Sequence, residues 1–180
     1  VDFTEDVRLG KAMLQTAIDS YRKLRNTLRY LLGALDGFAE AETMPHADMP
    51  ELERFILSRL KALDTELRAM LEAHAYNRYL SAIISFANSD LSAFFFDVRK
   101  DALYCDAPSS GRRRSYRTVL PTLFDTLNAW VAPILVFTAE EAHEARHGPG
   151  TSVHHGTCRD LPGEWRDEAL EARFARLLEL

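Results

Sequence analysis

Apolar residues recur every three or four positions through most of the chain, which is the spacing of one face of an α-helix. The clearest run predicts a first helix over about 9–35. Gly37 and the polar stretch after it predict the end of this helix. Its apolar positions are Leu14, Ala17, Tyr21, Leu24, Leu28, Leu31, Leu32 and Leu35.

Two further helices are predicted in the first hundred residues. Asp48 and Glu51 have the spacing of a capping box, and Pro50 suits the first turn of a helix that runs to about residue 71. After a break near His74, a third helix is predicted over about 77–100. Its centre, residues 82–96, is apolar almost all round, so we expect it to be the most buried element.

The second half of the chain has the same helical character. A fourth helix is predicted over about 112–130, with a kink at Pro121. Thr138 and Glu141 predict the capped start of a fifth helix, which ends at Gly148. A loop rich in Gly, Pro and His and a last helix over about 164–178 follow.

Sustained two-residue alternation, the signal of strands, is absent from the sequence. We therefore predict an all-α fold: an antiparallel helical bundle in residues 1–147 and a loop-rich appendage with a C-terminal helix in residues 148–180.

Composition places the chain among ordinary globular proteins. It has 180 residues, 47% hydrophobic and 27% charged, with a net charge of -5. Its two cysteines lack metal or redox spacing, which favours reduced thiols in a cytoplasmic protein. We expect no membrane partner, because no apolar run approaches the roughly 18–20 residues of a span. Since Val1 is not Met, we expect an excised piece of a longer protein.

The overall negative charge hides a basic stripe on the first helix. Arginines at 22, 25 and 29 stack along one side of it, and acidic residues are absent between Asp19 and Asp36. We expect these cations to lack local partners and to face an external anion. A merely solvated surface is the alternative. The candidate nucleic-acid-binding residues of this helix are Arg22, Lys23, Arg25, Asn26, Arg29 and Tyr30.

A second basic cluster opens the fourth helix. Cations at a helix N-terminus oppose the helix dipole, so an external anion would explain their placement. Lys100 ends the third helix, just before the same loop. The candidate residues are Lys100, Arg112, Arg113, Arg114 and Arg117.

Two other functions remain open. The segment His143-Glu144-Ala145-Arg146-His147 matches the zinc-hydrolase pattern H-E-x-x-H, although Val153 stands where the extended pattern has a third histidine. Alternatively, the basic face could make the chain a helical protein-interaction module. Ser20 and Lys23 match the S-x-x-K pattern of serine acyl-enzymes, but its companion motifs are absent, as is a phosphate-binding loop. We predict no catalytic residue and no bound metal.

Four segments resemble the anticodon-binding domain of bacterial isoleucyl-tRNA synthetases. Ser20–Gly33, SYRKLRNTLRYLLG, is similar to the first helix of that domain. Phe86–Pro108, FANSDLSAFFFDVRKDALYCDAP, resembles its third helix and the following loop. Arg112–Arg114 and Ala132–Glu141, APILVFTAEE, are similar to the segments that come next. The resemblance runs from about Val7, and we find no specific match beyond Gly148.

The resemblance implies a helical bundle of the class I aminoacyl-tRNA synthetase type that docks on the anticodon stem and loop of the isoleucine tRNA. It also implies a preceding catalytic domain, which would be a partner of this bundle and would use ATP and Mg²⁺. The H-x-G-H and K-M-S-K-S signatures of that catalytic domain do not occur here, and we expect no cofactor in this chain.

Overall fold

The computed structural model describes residues 10–178. This part of the chain contains helices and no strand, which confirms the predicted all-α class. The predicted helix start at Leu9, the Val7 end of the resemblance and residues 179–180 lie outside it. The helices are α1 Lys11–Ala34, α2 Glu51–Glu72, α3 Tyr76–Ser85, a π-helical segment Phe86–Phe95, α4 Phe96–Tyr104, α5 Gly111–Val131, α6 Val136–His147 and α7 Glu168–Leu178.

The segments from Tyr76 to Tyr104 form one continuous helix of 29 residues, called the long helix below. α2 runs antiparallel to it, since Glu53 binds Arg99 near one end and Arg59 binds Asp90 further back. α5 is also antiparallel to it: Tyr116 packs on Phe95, whereas Trp130 near the end of α5 packs on Phe86. The predicted antiparallel bundle is thus present in these three helices.

The long helix differs from its prediction in two ways. It extends to Tyr104, and it is less buried than α5: nine of its 29 residues are buried, against twelve of 21 in α5. The reason is that Ser81, Ser85 and Ser89 interrupt its apolar character on an exposed side. Its length and composition alone would allow it to cross a membrane, contrary to our expectation for the sequence. A buried core helix passes the same test, and its buried residues pack in the bundle.

Two predicted helix starts are wrong in detail. Pro50 is the N-cap of α2 and makes no side-chain cap, so Asp48 and Glu51 do not form a capping box. α6 begins at Val136, two residues before Thr138. The hydrogen-bonded turn after Val131 has already reversed the chain direction before that point. α5 continues through Pro121, and the kink there stays a prediction.

Of the residues after Gly148, Gly163–Trp165 and α7 pack on α2, whereas Val153–His155 contact α5 and α6. Leu161 and Leu170 belong to the same buried cluster as the bundle, and Phe174 stacks on Phe55 with ring centroids 4.3 Å apart. Glu51 accepts two hydrogen bonds from Arg173 on α7. The division of the chain at residue 148 stays a prediction.

Candidate nucleic-acid interface

The candidate residues of α1 lie on two adjacent sides of the helix. At about 100° per residue, Arg22, Arg25 and Arg29 fall on one side, while Lys23, Asn26 and Tyr30 fall on the next. The arginine side faces α6, and the other side faces the long helix. The core side, with Leu24, Leu28 and Leu31, is buried. One helix therefore presents two different polar surfaces beside a buried face.

A groove of about 660 Å³ separates α1 from the long helix. It brings together four candidate residues: three from α1 and Lys100 from α4. It also contains residues that the sequence analysis did not select. Its lining is Lys23, Asn26, Thr27, Tyr30, Asn88, Ser92, Ala93, Phe96, Asp97, Lys100 and Tyr104.

The π-helical segment explains why the long helix can line this groove over so many residues. Its main lining positions are four residues apart, from Asn88 to Tyr104. In an ideal α-helix a four-residue repeat drifts by about 40° per step, so residues sixteen apart would face roughly opposite sides. A π-helix turns less per residue, because it hydrogen-bonds i→i+5, and thereby offsets this drift. The positions Asn88, Ser92, Phe96, Lys100 and Tyr104 therefore share one face.

The floor of the groove is aromatic and fixed. Tyr30 stacks on Phe96, with ring centroids 4.3 Å apart and planes at 26°. The Tyr30 hydroxyl lies 2.8 Å from the hydroxyl of Tyr116, whose side chain is fully buried. Burial is the main cause that raises the pKa of both phenols, so both stay neutral. Tyr30 thus shapes the site and is held from two sides.

The rim of the groove carries two lysines and one carboxylate. Lys100 Nζ lies 2.8 Å from Asp97 Oδ1, and this hydrogen bond is the main cause that raises the pKa of Lys100. Both side chains remain more than half exposed. Lys23 has no ion pair within residues 10–178. The rim can therefore attract phosphate while offering one carboxylate acceptor.

The arginine side of α1 is more compensated than we expected. Arg25 lies 3.3 Å from Glu141 on α6, and Arg22 lies 3.7 Å from Asp19. The expectation of no local partner is wrong for Arg22, because Asp19 lies three residues before it on the same helix. Arg25 has a distant partner instead, since packing brings the carboxylate of Glu141 to α1. Their side chains are still 44% and 67% exposed. Arg29 is exposed and has no ion pair among the residues that the structure describes.

The basic cluster at the start of α5 has partners within its own chain, and its contact with an external anion stays a prediction. Arg112 donates two hydrogen bonds to Asp106, at 2.9 and 2.7 Å. Arg113 donates to the Asp106 carbonyl, and Arg114 to the carbonyls of Glu42 and Thr43. These arginines tie the preceding loops to the helix N-terminus, with a carboxylate for Arg112 and neutral backbone carbonyls for the other two.

Arg117 is the most enclosed member of that cluster, with 6% of its surface exposed. It donates a hydrogen bond to the Asp36 carbonyl at 3.0 Å, and its Nε lies 3.1 Å from a carboxylate oxygen of Glu42. Its guanidinium also lies over the Phe38 ring, at 5.6 Å from the centroid. These contacts join the end of α1 to α5 and leave little of Arg117 for a ligand.

The zinc-hydrolase pattern comes together only in part. The rings of His143 and His147 are 4.7 Å apart, but their Nε2 atoms bind Thr151 and Asp125. Glu144 is exposed. Within the described part of the chain, no group of three or more His, Cys, Asp or Glu side chains could hold a metal ion. The geometry does not favour this alternative.

Tyr104 and Asn88 were missed by the sequence analysis. Tyr104 is 72% exposed at the end of α4, and Asn88 lies on the π-helical segment. The four-residue repeat along the long helix was readable in the sequence. In a regular α-helix these residues would point in different directions around the axis. The repeat therefore places them on one face only because part of the helix is π-helical.

Comparison with known proteins adds independent evidence. The family model for the anticodon-binding domain of tRNA ligases matches residues 53–180. The match therefore continues past Gly148, where our own resemblance ended. Isoleucine–tRNA ligases from Agrobacterium fabrum and Zymomonas mobilis are 49% and 48% identical to this chain over 98% and 99% of it. The relative from Gluconobacter oxydans is 49% identical over 96%.

The chain spans about a fifth of the length of these relatives, since it covers 18%, 19% and 18% of them. The family match covers most of this chain, and the all-α bundle agrees with it. The chain belongs to the anticodon-binding domain family of tRNA ligases.

Proposed function

We propose that this chain binds the anticodon stem and loop of the isoleucine tRNA. One observation carries the proposal: the groove between α1 and the long helix combines lysines, amides and aromatic rings. Single-stranded RNA loops are recognised by such sets, because cations bind phosphates while aromatic and amide groups meet unstacked bases. The names of the relatives support isoleucine tRNA as the substrate.

Two surfaces would bind different parts of the tRNA. The exposed arginines of α1, Arg22, Arg25 and Arg29, lie on the side next to the groove and would bind backbone phosphates. Lys23 and Lys100 would bind phosphates at the groove rim. Phosphate contacts of this kind give affinity that depends on salt, whereas contacts in the groove give base selectivity. The arginines at the start of α5 would act mainly by fixing the loops beside the groove.

We also propose that the chain works within a longer isoleucine–tRNA ligase in the bacterial cytoplasm. ATP and Mg²⁺ would then serve the catalytic domain of that ligase, and this chain would hold the tRNA without catalytic residues of its own. Support comes from the relatives, which carry that name and are about five times longer.

The catalytic domain would meet an apolar surface at the start of α1 and of α6. Leu14 and Ile18 on α1 are about half exposed, and Phe137 on α6 is 89% exposed. The Tyr21 hydroxyl lies 3.2 Å from that of Thr138, so the two helix starts are adjacent. Exposed apolar patches of this kind are typical of contact surfaces.

The proposal is tested by separating the two steps of the ligase reaction. Arg25→Ala with Arg29→Ala should weaken charging of the tRNA and leave activation of the amino acid with ATP unchanged. Arg176→Ala, which removes an exposed cation from α7, is the matched control and should change neither step. Loss of activation in the double variant would instead show that these arginines maintain the fold.

A further inference from the structure

We propose that an unstacked base of the RNA loop enters the groove and stacks on Tyr104. This inference rests on the proposed function and names the residues that would hold the base. Its starting point is an exposed aromatic ring at the edge of a cavity of about 660 Å³. Tyr104 is 72% exposed, the second highest value among the exposed large apolar and aromatic side chains of residues 10–178.

Tyr104 is the ring that is free to stack. The other two aromatic side chains of the groove, Tyr30 and Phe96, already stack on each other at 4.3 Å. Tyr30 is further held through its hydroxyl by Tyr116. No ring stacks on Tyr104 within the described part of the chain. A base that enters the groove would therefore meet the edge of the fixed pair and one open face of Tyr104.

Polar groups that could read the edges of bases line the same groove as this ring. The amides of Asn26 and Asn88 line the groove and make no side-chain hydrogen bond within residues 10–178. Asp97 can accept a hydrogen bond from an amino group of a base. Thr27 and Ser92 are already within 3.3 Å of each other, at the inner wall. The groove thus offers donors, acceptors and a stacking surface along its length.

The charges around the groove fit a nucleotide better than an acidic peptide. Two lysines stand at the rim, which suits the phosphates of a nucleic-acid strand that runs along the groove. Asp97, which pairs with Lys100, would repel a carboxylate side chain, whereas a base can donate a hydrogen bond to it. The aromatic floor adds apolar area that a solvated carboxylate would not use.

The experiment compares two RNA hairpins with the anticodon stem and loop of the isoleucine tRNA, one intact and one with abasic anticodon positions. Affinities for this chain are measured by fluorescence anisotropy of labelled RNA. Since stacking of a base on an aromatic side chain is typically worth a factor of roughly ten or more, the chain should bind the intact hairpin about ten-fold tighter. Tyr104→Ala should abolish that difference, and Tyr104→Phe should keep it.

Tyr76→Ala is the matched control. Tyr76 is also an exposed tyrosine on the long helix, but it does not line the groove, so the difference between hairpins should persist. Circular dichroism verifies that each variant keeps its helices. If Tyr104→Ala retains the preference for the intact loop, or if the chain binds both hairpins equally, the base site is wrong while stem-and-loop binding stands. Binding of neither hairpin would overturn the proposed function itself.

Discussion

The guanidinium of Arg99 binds both carboxylate oxygens of Glu53, at 2.6 and 2.8 Å. Glu53 is fully buried on α2, so this ion pair joins α2 to α4 inside the bundle. The next residue, Lys100, lies at the rim of the groove and is 55% exposed. Two adjacent cations therefore serve different purposes, one within the fold and one at the surface.

Replacement of these neighbours should separate stability from binding. Arg99→Ala leaves the Glu53 carboxylate buried without its partner and should lower the free energy of unfolding by about 3–5 kcal/mol. Lys100→Ala should change it by less than about 0.5 kcal/mol and should weaken binding of the tRNA. Urea denaturation and RNA titration measure the two effects. Equal stability of both variants would mean that the buried pair contributes nothing net.

The hydroxyl of Tyr30 should matter for stability through Tyr116. Tyr30→Phe keeps the ring on Phe96 but leaves the buried Tyr116 hydroxyl without this partner, which should cost about 1–2 kcal/mol of unfolding free energy. Tyr21→Phe is the control, because the Tyr21 hydroxyl contacts Thr138 at the surface and its loss should cost close to nothing. Thermal or urea unfolding distinguishes them, and a similar cost in both variants would contradict the burial argument.

The ion pair of Asp106 with Arg112 should be visible in an acid titration. The hydrogen bond from Arg112 is the main cause that lowers the pKa of Asp106. A lowered carboxyl pKa stabilises the folded chain above the ordinary pKa of Asp, and this contribution is lost as the pH falls through the lowered value. We expect Arg112→Gln to return the pKa of Asp106 toward its ordinary value. Carboxyl chemical shifts measure this, and an unchanged Asp106 pKa would contradict it.

The apolar surface proposed for the catalytic domain is tested at Phe137. Because its side chain is 89% exposed, Phe137→Asp should leave the unfolding free energy of this chain almost unchanged. In the longer ligase the same change should weaken the contact between this surface and the catalytic domain. Limited proteolysis should then cleave the chain between the two domains faster. Val98→Asp, at an exposed apolar residue on α4, is the control and should leave cleavage as it is. Identical cleavage of both variants would place the interface elsewhere.

Periodicity predicted most of the fold, because each helix buries one apolar face. Leu24, Leu28 and Leu31 are buried as the spacing indicates. It could not predict the winding of the Phe86–Phe95 segment, since a π-helix keeps the same residues and differs only in hydrogen-bond register. Tyr104 faces the groove because of that winding, so its place in the site could not be predicted from the sequence.

The partners of the arginines could not be predicted from the sequence for a different reason. Arg117 binds the Asp36 carbonyl 81 positions away, and Arg25 binds Glu141 116 positions away. A sequence shows which cations lack partners one helical turn away, but contacts of this range follow from tertiary packing. Helical spacing does determine which residues share the lysine and amide side of α1, whereas their contact with RNA stays a prediction.

The most direct test measures the affinity of this chain for the isoleucine tRNA as the salt concentration rises. With the five phosphate contacts proposed for α1 and the groove rim, affinity should fall roughly 100- to 500-fold between about 50 and 200 mM salt. The double variant Arg25→Ala and Arg29→Ala should show a shallower dependence. An affinity that stays constant over this range, or no binding at any salt concentration, would contradict the account.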